Sequence, residues 1–148
     1  MYYQVNATYF SALGADERKM LLARAVQLFM PGKPQVWYLD LFAGENDLEA
    51  VNRGGAAGHK EINRTNLSMP QIEEALGRRI VRQQIELLRI RNTCPAFGFE
   101  AQMEIERQDK QRFSIEWKKD GCAAKLSADL ERCAFTVEID GETVFVQV

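Results

Sequence analysis

Cysteine, histidine and net charge are all in short supply in this sequence, and each shortage removes a class of function. The three cysteines, Cys94, Cys122 and Cys133, are odd in number and none belongs to a CxxC pair, so neither a disulfide framework nor a zinc site is signalled. Buried free thiols are expected instead. His59 is the only histidine; alone in a glycine-rich loop it reads as a polar loop residue, and without a second histidine or cysteine nearby no metal site is expected. A net charge of −2 gives no electrostatic reason to expect nucleic acid or an anionic membrane as partner. No apolar run approaches the roughly 18 residues that span a bilayer. The N-terminus also lacks a basic segment followed by an apolar stretch, so a cytoplasmic location is expected. Internal repeats and low-complexity segments are missing too.

What is present is ordinary for a folded domain: 148 residues, 46% hydrophobic and 27% charged, enough to bury a real core. Residues 1–14 show no period and close on Gly14, which reads as a loop. Asp16 and Glu17 then open a helix at the positive end of its dipole. Met20, Leu21, Ala25, Leu28 and Phe29 recur at three and four, an apolar stripe that stops at Pro31-Gly32. Further on, Ser68 with Gln71 forms a capping-box pattern, Gly77 interrupts, and an amphipathic helix spans Arg79 to Asn92 before Pro95 ends it. From Phe97 the period falls to two. Met103 and Ile105; Phe113, Ile115 and Trp117; Leu126, Ala128 and Leu130; Phe135, Val137 and Ile139; and Val144, Val146 and Val148 mark the apolar faces of five strands. Asp120-Gly121 and Asp140-Gly141 are hairpin-turn dipeptides. A five-strand antiparallel sheet with one apolar face follows, and the 79–92 helix is the nearest element to cover it.

Between these parts lies the stretch around which the chain is organised, residues 34–67. Val36-Trp37-Tyr38-Leu39 is apolar, entered through Pro34 and too short for a helix, so it reads as a buried strand with Trp37 and Tyr38 in the core. A long polar loop follows, with Gly44, Gly54, Gly55 and Gly58 and many ionisable side chains. A helix, a Pro/Gly turn and a buried strand make the second half of a βαβ unit, whose ligands gather beyond the strand's carboxyl end, here Leu39-Asp40. Asp40, Glu45 and Asp47 are expected to order the loop.

The run GKPQVWYLDLFAGENDLEAV followed by GHKEINR resembles the last barrel strand and following loop of the sucrose phosphorylase group, in the α-amylase family of glycoside hydrolases. Tyr3-Gln4-Val5-Asn6 with Ser11-Ala12-Leu13 resembles the loop after barrel strand seven, and Arg89 to Phe97 the end of the last barrel helix. The resemblance implies the C-terminal portion of such an enzyme: the final βα units of a (β/α)8 barrel over 1–97, then a small antiparallel β-domain over 98–148. The implied activity is retaining glucosyl transfer from an α-glucoside, sucrose or glucosylglycerate, to inorganic phosphate, giving α-glucose 1-phosphate with no metal or organic cofactor. Such chemistry needs two carboxyl groups about 5 Å apart. In the resembled family those acids come from barrel strands upstream of Met1, so this chain alone holds no catalytic residue and is expected to be inactive.

What it holds by resemblance is the rim of the site: Tyr3 and Gln4 on a loop that swings between glucosyl-enzyme and acceptor, and Lys60, Glu61, Asn63 and Arg64 from the Lys-Glu-Ile-Asn-Arg run. The sucrose enzymes carry arginine and aspartate where Lys60 and Glu61 stand. An ammonium is a point charge on a flexible stem and a guanidinium a planar fork, so the exchange is not neutral. It resembles more closely the glucosylglycerate phosphorylases, whose acceptor is an acid, and cationic Lys60 and Arg64 suit an anionic acceptor or phosphate. By residue type alone the run also fits a solvated charged loop. Two other readings stay open: a non-catalytic carbohydrate- or protein-binding module, and an α-glucoside hydrolase of the same family. A lone parallel strand cannot close a barrel, so Val36 to Leu39 is expected to stay poorly ordered or to pair with a second copy.

Overall fold

The computed structural model describes residues 5–148, except for the side chains of Ala56 and Ala57. The element order is α1 (Tyr9–Ala12), α2 (Glu17–Phe29), α3 (Tyr38–Leu41), α4 (Leu48–Arg53), a 3-10 stretch (Gly55–Lys60), α5 (Met69–Leu76), α6 (Arg79–Thr93), a 3-10 turn (Pro95–Phe97), then β1 (Gln102–Arg107), β2 (Arg112–Lys119), β3 (Cys122–Asp129), β4 (Ala134–Ile139) and β5 (Glu142–Gln147). Two compact units result. One comprises residues up to Met20 with Gln35–Gln84; the other comprises Leu21–Pro34 with Ile85–Val148.

The helical expectations hold where capping or period set them. Asp16 accepts the N–H groups of Arg18 and Lys19 at 2.9 and 3.1 Å, so α2 begins where its first acid predicts. The Ser68 N–H donates to the Gln71 side chain at 2.8 Å, the returning half of the capping box at the head of α5. Of the α2 stripe, Met20, Leu21, Ala25, Leu28 and Phe29 are all buried.

Val36 to Leu39 is not a strand. Trp37 is extended (φ −67°, ψ 137°), but the chain then winds into α3, where Leu41 N–H bonds back to Trp37 at 3.1 Å. No described strand lies beside it, so its backbone groups find partners locally instead of across a sheet. Leu39 is buried, Trp37 is 52% exposed and Tyr38 is half-buried, so Trp37 is no core residue. Pairing with a second copy through this segment has no strand to act through. The loop expected over the first residues also gains structure: Thr8 caps α1 by accepting the Ser11 N–H at 3.1 Å.

The sheet is a meander in the order β1-β2-β3-β4-β5, every neighbour antiparallel. Both aspartate-glycine turns adopt positive φ at both positions, Asp120 50° and Gly121 81°, Asp140 50° and Gly141 83°. Ile115, Trp117, Leu126, Val137 and Phe135 fill the inner face. The expectation fails in β5. Val144, Val146 and Val148 are exposed, and Phe145 is buried instead, stacked on Phe135 with ring centroids 5.5 Å apart. A bulge between Val137 and Glu138 resets the register there, and the larger aromatic ring takes the inner position. The inner face is covered by the second half of α2 as well as by α6. The Trp117 indole N–H donates to the Phe29 carbonyl at 2.7 Å, Phe97 meets Phe29 edge-on at 5.0 Å, and the Arg91 guanidinium lies 4.3 Å from the Phe97 ring centre. Burial pushes the Arg91 pKa below its ordinary value. Among the described residues no helix is long and apolar enough to cross a membrane.

Candidate functional site

The long loop is built, not loose. Asp47 caps α4 by accepting the Ala50 N–H at 2.8 Å, and its own N–H donates to the Ile62 carbonyl at 2.8 Å. Its second carboxylate oxygen lies 3.8 Å from Arg53 and 3.5 Å from the Thr65 hydroxyl. One acid therefore binds both arms of the loop, the ordering role expected of it. Two glycines make the fold of this loop possible. A Cβ on Gly58 would lie 2.0 Å from the Val51 carbonyl oxygen, and one on Gly54 would lie 2.5 Å from the Gly58 Cα. Only bare backbone fits there.

The segment before α1 is sewn onto this loop. The Thr8 N–H donates to the Asn46 side chain at 2.7 Å, and the Asn46 N–H returns to the Ser11 hydroxyl at 2.9 Å. The Tyr9 N–H donates to the Asp40 carboxylate at 2.7 Å, so Asp40 also orders the loop. Glu45 is exposed. Asn63 closes the seam: its side-chain amide donates to the Ala7 carbonyl at 3.2 Å, and its carbonyl accepts the Trp37 indole N–H at 3.2 Å. The Tyr38 hydroxyl donates to the Thr65 carbonyl. From the other side, the carbonyls at the end of α3 are all met by side chains, Leu41 by Gln84 at 2.9 Å, Phe42 and Ala43 by Arg78 at 3.2 and 3.3 Å. Gln84 sits fully buried within the apolar stripe of α6 for this reason.

Of the predicted site residues, Asn63 is half-buried in the seam, while Lys60, Glu61 and Arg64 are exposed. Arg64 pairs with Glu61 at 3.6 Å, and Arg53 pairs with Asp47 and Glu49. Lys60 ends the 3-10 stretch and makes no ion pair with any described carboxylate. Tyr3 and Gln4 lie outside the described residues; Ala7, just beyond them in sequence, is bound to Asn63. Thr8, Ser11, Asn46, Arg78 and Gln84 complete the scaffold and carried no signal of chemistry in the sequence. Asn46-Asp47 before Leu48 is a cap signal that marks the start of α4.

Among the described residues, helices and 3-10 turns precede a five-strand antiparallel sheet. No family model matches the chain. Individual proteins do. A sucrose 6(F)-phosphate phosphorylase from Ilumatobacter coccineus is 55% identical over 96% of the chain. A sucrose phosphorylase from Streptococcus mutans is 36% identical over 96% of it. The crystal structure of sucrose 6F-phosphate phosphorylase from Thermoanaerobacter thermosaccharolyticum superposes with a TM-score of 0.89 at 38% identity, covering 97% of this chain. The chain spans only 27%, 30% and 29% of those three proteins. It corresponds to the C-terminal portion of a sucrose phosphorylase-like protein.

Proposed function

We propose that this chain is the acceptor-side wall and β-domain of a retaining α-glucoside phosphorylase, an enzyme that passes a glucosyl unit to inorganic phosphate and releases α-glucose 1-phosphate. A sugar and inorganic phosphate are then the small-molecule partners of the whole protein, and its place is the cytoplasm. Residues 1–97 belong to the barrel in this reading and 98–148 to the β-domain. Tyr3, Gln4, Lys60, Glu61, Asn63 and Arg64 face the substrate in the assembled enzyme, and the two carboxyl groups that break the glycosidic bond come from elsewhere in it.

One observation carries this reading: a hydrogen-bonded loop seam presents exposed Lys60 next in sequence to the Glu61 of an Arg64–Glu61 pair, and Lys60 makes no ion pair with any described carboxylate. An exposed cation in that position suits an anionic ligand. Glycerate and phosphate are both anions, and so is the phosphorylated sugar for which the Ilumatobacter protein is named. A phosphorylated hexose acceptor is therefore the form of the proposal we favour over neutral fructose.

The first test is an assay of the 148-residue chain for phosphate-dependent glucose 1-phosphate release from sucrose, sucrose 6F-phosphate and glucosylglycerate. No turnover is expected, because the reacting acids are not in this chain. Turnover with any of the three would refute the assignment of this chain as a wall without catalytic acids.

A further inference from the structure

We propose that Cys94 and Cys122 are a reversible modification site, closing to a disulfide by exchange with a small-molecule disulfide such as oxidised glutathione. The two sulfurs lie 3.8 Å apart although 28 positions separate them in the chain. Cys94 stands between the end of α6 and Pro95, and Cys122 opens β3 directly after the Asp120-Gly121 turn. Both belong to the same compact unit. An S–S bond is roughly 2 Å long, and the remaining gap is of the size that side-chain rotation closes.

Access is provided on one side. Both thiols are half-buried, and Cys122 lines an open cleft of about 560 Å³ together with Gln102, Lys118, Lys119 and Gly121. Glu100 and Asp120 line it beside the two lysines, and Lys118 is paired with Glu116 at 2.8 Å, so the cleft supplies access to the Cys122 thiol and no net charge of one sign. Burial, with the neighbouring Cys122 adding to it, holds the Cys94 thiol above its ordinary range, which makes it the poorer first nucleophile.

The exchange balances as follows. The Cys122 thiolate attacks one sulfur of the reagent, forming a mixed disulfide and expelling one reagent thiolate. Cys94, once deprotonated, attacks the Cys122 sulfur; the Cys94–Cys122 bond forms, the mixed bond breaks and a second reagent thiolate leaves. The two cysteine protons end on the two departing thiolates, and two electrons pass from the cysteine pair to the reagent. The product fastens the end of α6 to the β2–β3 hairpin. In a reducing compartment such a bond is transient, a sensor instead of a staple. Cys133, whose thiol faces the Leu130 carbonyl at 3.7 Å, takes no part.

The test equilibrates the intact chain with oxidised and reduced glutathione, quenches with acid, then counts thiols after unfolding and maps linked peptides. The expected result is one Cys94–Cys122 linkage, a fall from three free thiols to one, recovery of all of them in excess reduced glutathione, and a raised melting temperature. Cys133→Ser should leave the pairing unchanged, and Cys94→Ser should accumulate glutathione on Cys122. The proposal is overturned if the wild-type chain holds stable glutathione adducts on either thiol without a linked peptide. It is also overturned if the folded chain stays reduced where the unfolded chain oxidises, or if linkage runs through Cys133. The wild-type measurement decides the matter even where a variant folds poorly.

Discussion

The Asn63 side chain donates to the main-chain carbonyl of Ala7 at 3.2 Å across 56 positions of sequence, and this bond joins the segment before α1 to the loop that carries Lys60 and Arg64. Asn63→Ala removes the donor and leaves a partly buried carbonyl to find water. A loss of about 1 to 2 kcal/mol is expected, read as a lower urea midpoint at unchanged slope. Asn63→Asp, which also lacks the donor, should lose at least as much; full stability in either variant would show that the seam is not held there.

Gly58 lies under the Val51 carbonyl, and a methyl group placed there would lie 2.0 Å from its oxygen. Backbone cannot swing aside as a side-chain tip can. Gly58→Ala should therefore cost roughly 2 kcal/mol or more, whereas Gly121→Ala, which meets nothing within 4 Å, pays only for its positive φ. Thermal melts of the two variants side by side separate collision from backbone strain.

The Trp117 indole N–H donates to the Phe29 carbonyl at 2.7 Å in a buried setting. Trp117→Phe keeps most of the ring area and deletes the donor, and the orphaned carbonyl should make it less stable by about 1 to 3 kcal/mol. Near-ultraviolet circular dichroism and a melting curve report the change together.

Asp16 ties the first turn of α2. Its bonds from the Lys19 and Arg18 N–H groups, the Lys19 bond foremost, hold its carboxyl below the ordinary value of 3.8. The folded pKa is thus depressed, so its contribution to stability is complete above the unfolded value and is lost as pH falls through the folded one. Stability measured downward from pH 5 should decline in that window, and Asp16→Asn should flatten that part of the curve. An unchanged slope would remove Asp16 from the account.

The sheet was legible because its signals are local: alternation sets which side chains face inward, and aspartate-glycine sets the turns. Its last strand misled because parity alone cannot locate a bulge, and Phe145 outbid three valines for the inner face. The helices were legible through Asp16, the Ser68-Gln71 pair and Pro95. Val36 to Leu39 was misread because an apolar run of that length takes its conformation from neighbours, and no described strand lies next to it. At the site, Asp40 and Asp47 ordered the loop as their type suggests, yet Gln84 and Arg78 gave no sign of their work. Their value lies in carbonyls that only the folded chain brings within reach. The roles proposed for Lys60, Glu61 and Arg64 rest on resemblance and chemistry, because an exposed charged run carries no geometric signature of its ligand.

The most direct test of the central claim is Lys60→Gln in the proposed full-length phosphorylase, comparing kcat/KM for a phosphorylated glucoside with that for sucrose. Loss of one charge-assisted contact to an anionic acceptor should lower the first by about 10- to 100-fold and leave the second nearly unchanged. Equal effects on both substrates, or no effect on either, would contradict the assignment of this loop as the wall that meets an anionic acceptor.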